Sequence, residues 1–266
     1  MTGASGGDVW VVSATDTIFH AKGYLGGKVE WLRAPSPLEE FSIVPIHSAW
    51  TGPAGELRLG ARTYNLFDEE GNFGPGNQFE RVTADGGGIG WRGSSGTATI
   101  HAIWGATSDD VWIAGDNSET ASWQLGLTMH GTRKAGSEGP LAWVEVDSQA
   151  SVVLASIWGS STADVWCVGD KGTIRHHSAG ALRWDIVTSP TKNALHAIWG
   201  SAGNDVWAVG DDGTILHWDG VTWTPSVAAF PVGRRRPDLY GVWGSSADDV
   251  WIVGDGIALH HTGGGP

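Results

Sequence analysis

The sequence predicts an all-β fold: a β-propeller of six blades, each with up to four antiparallel strands. The first observation is a repeated Asp-Val-Trp triplet, present five times, with a degenerate copy at Glu56-Leu57-Arg58. The third residues of the six copies are 48, 54, 54, 41 and 44 positions apart, close to the roughly 40–50 residues of a four-stranded blade. The second is composition: 17 tryptophans and 41 glycines are typical of short, aromatic-rich strands joined by tight turns. The third is that no segment shows a sustained helical period.

The cleanest repeat, Leu195–Trp223, shows how each element is assigned. Strand a is His196–Trp199, strand b Asp205–Val209, strand c Thr214–Trp218, and strand d begins at Trp223. These runs are short, rich in Val, Ile, Thr and Trp, and separated by Gly, Asp, Asn and Ser, which is the pattern of strands and turns. The other d strands are marked by Trp31, Trp91, Trp143 and Trp184.

We predict one propeller domain over residues 1–266. Its repeat units are approximately 1–44, 45–98, 99–151, 152–193, 194–237 and 238–266. The first unit opens at strand b and the last ends at strand c, so five blades plus a hairpin, or part of a seven-bladed ring, are open alternatives. Three units carry insertions, of which the longest, Asp68–Gly88, is predicted to lie ahead of the Trp91 strand.

Composition narrows the class of partner and the compartment. A net charge of −13 argues against nucleic-acid binding, which requires clustered Lys and Arg. No apolar run reaches the about 18 residues of a membrane span, and no signal peptide is visible. The chain reads as though it starts inside a repeat, as a domain cut from a longer chain would, so the compartment is undecided. An extracytoplasmic or cell-surface location is favoured. The single cysteine, Cys167, excludes an internal disulfide and is predicted to be a small buried residue.

The repeated strings carry a family resemblance. AVGDDGTILHWDGVTW, CVGDKGTIRHHSAGALRW and IVGDGIALHH resemble the BNR/Asp-box-like propellers, and within them the photosystem II assembly and stability factor family and related bacterial surface-protein propellers. The resemblance covers four of the six units well and the second poorly. It implies a propeller fold and a non-enzymatic binding or assembly role. Sialidases share the Asp-box turn, but their arginine triad cannot be placed in this sequence.

Tryptophans at matched positions of strands a and b are predicted to pack blade against blade. Trp123 and Trp218 fall outside the matched set, and they are the candidates for stacking on sugar rings. Five histidines share one place on strand c: His20, His130, His176, His217 and His260. A metal site needs three or four converging ligands, whereas residues at one level of different blades face separate neighbours. We therefore predict a hydrogen bond in each blade to the Asp of Asp-Val-Trp, and no metal site.

Two further groups are candidate ligand-binding residues. The first is His47, His101, His196 and Tyr240 at the start of strand a, which is the innermost strand of a propeller blade, so these residues are predicted near a central channel. The second is Arg234-Arg235-Arg236, the one basic cluster, which suits a carboxylate or phosphate partner. For the first group the alternative is burial between blades. For the arginine cluster the alternative is a solvated surface without a partner. The acidic turns at Asp170, Asp211 and Asp255 are too short for calcium loops.

No catalytic motif is readable. The only Gly-x-Ser-x-Gly match, Gly3–Gly7, lacks the flanking strand and helix of a nucleophile elbow. We predict no enzyme, no catalytic residues and no cofactor. The main interpretation is a lectin-like module that binds carbohydrate through aromatic and polar loop residues. The alternative is a protein–protein scaffold or assembly factor that uses the face with Arg234–Arg236, and a glycosidase-like enzyme is remote.

Overall fold

The chain folds as an all-β, six-bladed β-propeller with blades of three to four antiparallel strands. The computed structural model describes residues 2–5, 8–13, 17–22, 28–35, 45–53, 55–62, 65–67, 73–83, 89–95, 98–117, 125–134, 137, 139–230 and 235–263. The predicted fold and blade number are confirmed. In the described part of the chain there is no helix with the length and hydropathy to cross a membrane.

Blades 1 to 3 each contain four main strands in chain order. Blade 2 has in addition a short strand, β7, that pairs with the start of β8. Their strands are β1 (Thr2–Ser5), β2 (Asp8–Val12), β3 (Ile18–Lys22) and β4 (Leu32–Ala34) in blade 1; β5 (Ile46–Thr51), β6 (Leu57–Ala61), β7 (Asn65–Phe67), β8 (Phe73–Thr83) and β9 (Ile89–Ser95) in blade 2; and β10 (Thr99–Thr107), β11 (Asp110–Asp116), β12 (Gly126–Thr132) and β13 (Ala142–Glu145) in blade 3.

Blades 4 and 5 repeat the four-strand pattern, whereas blade 6 has three strands. Their strands are β14 (Leu154–Ser161), β15 (Asp164–Gly169), β16 (Thr173–Ser178) and β17 (Asp185–Val187); β18 (Leu195–Ala202), β19 (Asp205–Gly210), β20 (Thr214–Trp218) and β21 (Trp223–Pro225); and β22 (Leu239–Ser246), β23 (Asp249–Gly254) and β24 (Ile257–His261). In blades 4 and 5 a short 3-10 turn joins strands b and c, and Lys171 and Asp212 there have φ values of 56° and 53°.

The chain divides into two compact units. Unit 1 comprises Met1–Ser122 and Met129–Val144, and unit 2 comprises Trp123–Thr128 and Glu145–Pro266. In unit 1, one core cluster gathers Trp10, Ile18, Leu57, Leu59 and Phe79, all 3% exposed or less. In unit 2, the cluster shared by blades 4 and 5 is built on Trp166, Leu195, Leu216 and Trp223.

Tryptophans make the joints between neighbouring blades of unit 2. The b-strand indoles Trp166 and Trp207 are 2% and 7% exposed. The a-strand indoles pack directly against glycines of the next blade, where a side chain would not fit. A Cβ atom added to Gly200 would lie only 2.7 Å from Trp158 Cη2, and one added to Gly244 only 2.6 Å from Trp199 Cη2. The packing prediction is confirmed for these indoles. It fails in blade 6, where Trp243 and Trp251 are 60% and 42% exposed.

The structure corrects the expected start of the first unit. Thr2–Ser5 forms strand β1 and pairs with β2, so blade 1 begins with strand a. The segment consists of Thr, Gly, Ala and Ser, which gives no apolar alternation to indicate a strand. Its place comes instead from backbone pairing with β2 and from a hydrogen bond from the Thr51 amide to Thr2 Oγ1 of 3.0 Å.

The expected insertion at Asp68–Gly88 is also corrected. Strand β8 occupies Phe73–Thr83 and is the third strand of blade 2, paired with β6 and β9. It lacks the histidine that marks strand c elsewhere, and its apolar residues are interrupted by charged ones. The pairing of Phe79 with Leu59 places the Phe79 ring in the core, where it is 3% exposed. Cys167 is fully buried, as predicted, and this burial raises the pKa of its thiol.

Candidate functional site

The five strand-c histidines each bond the aspartate of Asp-Val-Trp in their own blade, which confirms the predicted hydrogen bond. Each ring also stacks on the tryptophan of the same triplet, with ring centroids 3.8–4.2 Å apart. The pairs are His20–Asp8, His130–Asp110 (3.0 Å), His176–Asp164 (2.6 Å), His217–Asp205 (2.7 Å) and His260–Asp249 (2.7 Å). In this Asp–His–Trp motif, the hydrogen bond and the ring stack thus both lie within a single blade.

A serine completes the motif in blades 4, 5 and 6. Ser160, Ser201 and Ser245 each donate a hydrogen bond to the other oxygen of the motif aspartate. The carboxylate therefore lies between the serine and the histidine. In a catalytic triad the histidine lies between the two, because it must take the proton of the nucleophile. This order makes the motif a structural clasp rather than a nucleophile with its base.

The predicted inner-strand residues meet in pairs, one pair in each unit. In unit 1 the rings of His47 and His101 lie edge to face with centroids 5.4 Å apart, and His101 Nε2 is 2.6 Å from Asp116 Oδ2. Burial, followed by the nearby His101, lowers the pKa of His47.

In unit 2 the rings of His196 and Tyr240 are 5.3 Å apart. His196 Nε2 is 2.6 Å from Asp211 Oδ1, and the Tyr240 hydroxyl is 3.5 Å from Asp255 Oδ2. Desolvation, followed by the charges of Asp255 and Asp238, raises the pKa of the Tyr240 phenol. At the start of strand a in blades 5 and 6, two adjacent aromatic rings thus lie between two carboxylates. The predicted central channel stays a prediction.

Two of the three clustered arginines are described, whereas Arg234 lies outside the described residues. The Arg235 side chain is 79% exposed and lies 3.7 Å from Asp238. The Arg236 guanidinium lies over the Phe230 ring, 5.7 Å from its centroid. The Arg235 side chain is therefore largely exposed, whereas the Arg236 guanidinium packs on Phe230.

Of the two predicted sugar platforms, Trp123 lies outside the described residues. Trp218 is half-buried and packs between blades 4 and 5. Its ring centroid lies 5.0 Å from that of Trp166 and 5.9 Å from that of Trp223, and its Nε1 donates to the Gly203 carbonyl at 3.2 Å. Most of the indole is thus engaged in packing.

Blade 2 holds a group of charged residues that the sequence motifs did not predict as a site. Arg58 occupies the position of the motif tryptophan, and Glu80 that of the histidine, because the two pair in register across β6 and β8. Arg58 Nη2 donates to Glu80 Oε1 at 2.8 Å, and the residues are 7% and 9% exposed. Arg133 and Arg92 each lie 3.5 Å from Glu80. The degenerate triplet Glu56-Leu57-Arg58 is the sequence feature that points to this group, because it places an arginine where the sister repeats bury a tryptophan.

Three of these four residues line a small cleft within unit 1 that is partly open to solvent. Arg58, Glu80 and Arg92 form its charged wall, and Phe79, Leu141 and Trp143 belong to its apolar wall. Burial is the main cause that lowers the pKa of Arg58; Glu80 opposes this effect, and the charges of Arg133 and Arg92 add to it. Among the described residues no group of three or more His, Cys, Asp or Glu could hold a metal ion.

The chain shares its fold with YCF48. A solved structure described as YCF48 bound to D1 peptide superposes with a TM-score of 0.55 at 15% identity, over all of this chain and 92% of the other. YCF48 from Cyanidioschyzon merolae gives a TM-score of 0.54 at 14% identity, over 98% of this chain and 93% of the other. No family model and no curated protein matches the sequence. The similarity to a photosystem II assembly factor, which the repeated motifs predict, is confirmed across the whole chain at the level of the fold.

Proposed function

We propose that this chain is a non-catalytic recognition module, one propeller domain over residues 1–266, that binds a partner protein. The observation that carries the proposal is the shared fold: a YCF48 propeller that superposes on this chain with a TM-score of 0.55 has been solved with a D1 peptide. The predicted contact is the cluster Arg234–Arg236, of which the Arg235 side chain is 79% exposed. Such a guanidinium pairs readily with the carboxylates of an acidic partner segment.

Affinity capture with the full chain as bait tests this function. We expect the wild type to capture a partner protein, and the variant Arg183→Ala, which removes an exposed positive charge elsewhere in unit 2, to capture it equally well. Equal capture by the wild type and by a variant that lacks all three clustered arginines would contradict the proposal.

Carbohydrate binding stays a prediction with less support, because Trp218 is engaged in packing. A glycan array decides it: a glycan that binds wild-type protein but not the Trp218→Ala variant would favour a lectin. The exposed Arg235 and its neighbours Arg234 and Arg236 remain predicted contacts for an acidic region of a partner. Capture of that partner should fall when all three are changed to alanine.

A further inference from the structure

The residues that follow the clustered arginines are bonded to the turn between strands b and c of blade 5. That turn is Asp211–Gly213. The Gly213 amide donates to the Pro237 carbonyl at 2.8 Å, and the Asp212 amide donates to Asp238 Oδ1 at 2.8 Å. Two consecutive amides of the turn therefore fix two consecutive residues on the C-terminal side of Arg236.

Phe230, on the N-terminal side of the arginines, is anchored in the core of unit 2. Its ring is partly buried and packs against the core cluster that contains Trp207 and Leu239. The Arg236 guanidinium lies over the same ring, 5.7 Å from its centroid. Phe230 thus connects Arg236 to the core.

Gly213 lies where these two anchors meet. The residue is buried, and its φ of 65° is in the left-handed region that favours glycine. A Cβ atom added to Gly213 would lie 2.9 Å from two atoms of the Phe230 ring and 3.2 Å from Arg236 Cβ. Because the ring packs against the core, it has little room to shift. The missing side chain is therefore what allows Phe230 and Arg236 to pack on the turn.

The matching turn of blade 6 has the same backbone without this packing. Gly256 has a φ of 64°, but a Cβ atom added to it would meet no atom of the described residues within 4 Å, its two chain neighbours apart. Both turns thus favour glycine for its φ, whereas only the blade 5 turn also needs it for packing.

Arg235 is the arginine that these anchors leave exposed. Its side chain is 79% exposed, and its Nη2 lies 3.7 Å from Asp238 Oδ1. This contact is longer than the usual charge-assisted hydrogen bond of about 2.7–2.9 Å. The same Asp238 oxygen accepts the Asp212 amide, so Asp238 is bonded to the turn independently of Arg235. The guanidinium is therefore available for a bidentate pair with another carboxylate.

We propose that Gly213 and Phe230 are positioning residues for the contact of Arg235 with an acidic polypeptide segment. They fix the backbone next to Arg235 on the blade 5 turn before the partner arrives. Ordering side chains and loops on association weakens binding, and a contact whose backbone is already fixed avoids part of that loss. This inference rests on the proposed function, and it adds the residues that set the geometry of the contact.

The experiment measures binding of a fluorescein-labelled hexaglutamate peptide to the full chain by fluorescence anisotropy. At about 0.15 M salt, charges more than about 8 Å apart are largely screened, so the peptide responds to the local surface rather than to the net charge of −13. Arg235→Gln should weaken binding about 3- to 5-fold, since an exposed ion pair contributes modestly. Gly213→Ala and Phe230→Ala keep every charge, and each should weaken binding at least about 2-fold.

Gly256→Ala is the matched control, because it imposes the same φ strain on the blade 6 turn without a collision. It should bind hexaglutamate as the wild type does. Hydrogen exchange gives a second measurement: in Phe230→Ala the amides of Asp212 and Gly213 should exchange at least about 5-fold faster, while those of β19 keep their wild-type rates.

The outcomes separate this inference from the proposed function. Equal binding by Gly213→Ala and Gly256→Ala, or unchanged exchange at Asp212 and Gly213 in Phe230→Ala, would overturn the positioning role and leave the acidic contact in place. A wild type that does not bind hexaglutamate would overturn the acidic contact itself, and the positioning role with it.

Discussion

Blades 2 and 5 place different chemistry at the same register positions. In blade 5, Trp207 pairs with Trp199 on one side and His217 on the other, and the His217 ring stacks on the Trp207 indole. In blade 2, Arg58 pairs with Trp50 and with Glu80, and the stack is replaced by an ion pair.

The difference lies in how far each arrangement depends on its surroundings. In the blade 5 motif His217 and Ser201 both bond Asp205, so these hydrogen bonds lie within one blade. The blade 2 pair needs Arg92 from its own sheet and Arg133 from blade 3, and it lies at a cleft. The hydrogen bonds of the blade 5 motif thus depend on one blade, whereas the ion pairs of blade 2 depend on residues of two blades.

The largest expected effect is that of Glu80→Gln. It leaves Arg58 buried without its counter-charge, and breaking a buried ion pair costs about 3–5 kcal/mol. Urea unfolding should show this loss in the free energy of unfolding. The double variant Arg58→Met, Glu80→Leu removes both charges and should recover most of it. A loss of under about 1 kcal/mol in the single variant would mean that the pair is not desolvated.

Asp205→Asn should have a smaller effect, about 1–3 kcal/mol, because a charged acceptor for His217 and Ser201 becomes a neutral one. The same unfolding assay measures it. Asp185→Asn, at an exposed position of β17, serves as the control and should stay within about 0.5 kcal/mol of the wild type. If Asp205→Asn matched Glu80→Gln, the contrast between the two blades would be lost.

Asp249 tests the same motif where it is exposed, in blade 6. Hydrogen bonds from Ser245 and His260 lower its pKa from 3.8. Its stabilising contribution is therefore fully present above pH 3.8 and is lost as the pH falls through the lower folded-state pKa. Asp249→Asn should flatten the acid limb of the stability profile below pH 3.8. An unchanged limb would count against a folded-state role for this carboxylate.

The smallest effect concerns His47, the blade 2 counterpart of His196. Its pKa is lowered from 6.5, first by burial and then by His101. A neutral His47 therefore stabilises the fold fully above pH 6.5, and this contribution is lost as the pH falls through the folded-state pKa. An NMR titration should give a midpoint below 6.5, which moves upward in His101→Asn. A midpoint at or above 6.5 would contradict the described contact.

Sequence periodicity was sufficient for the fold and for the motif, because both recur. The triplet spacing predicted six blades, and the repeated histidines predicted their bond to Asp8, Asp110, Asp164, Asp205 and Asp249. Residues that recur at the same position of each repeat share one environment. The hydrogen-bonding groups of the repeated histidine and aspartate then predict that the two pair.

The parts that the sequence missed are those without repetition. Strand β1 carries no apolar pattern, and Phe73–Thr83 forms a strand only because β6 and β9 lie on either side of it. The ion pairs of blade 2 join Glu80 to Arg58 and to Arg133, which are 22 and 53 positions away in the sequence. Such long-range pairings are set by tertiary structure, and a local pattern cannot reveal them.

The seating of Trp158 on Gly200 and of Trp199 on Gly244 has an evolutionary consequence. Each contact joins a tryptophan of one blade to a glycine of the next, and every repeat in this run carries both residues. A duplicated gene segment encoding one whole repeat would therefore bring matching surfaces at both ends, without compensating changes in its neighbours. Loss of the glycine alone would block such growth, since any larger residue would collide with the indole it must receive.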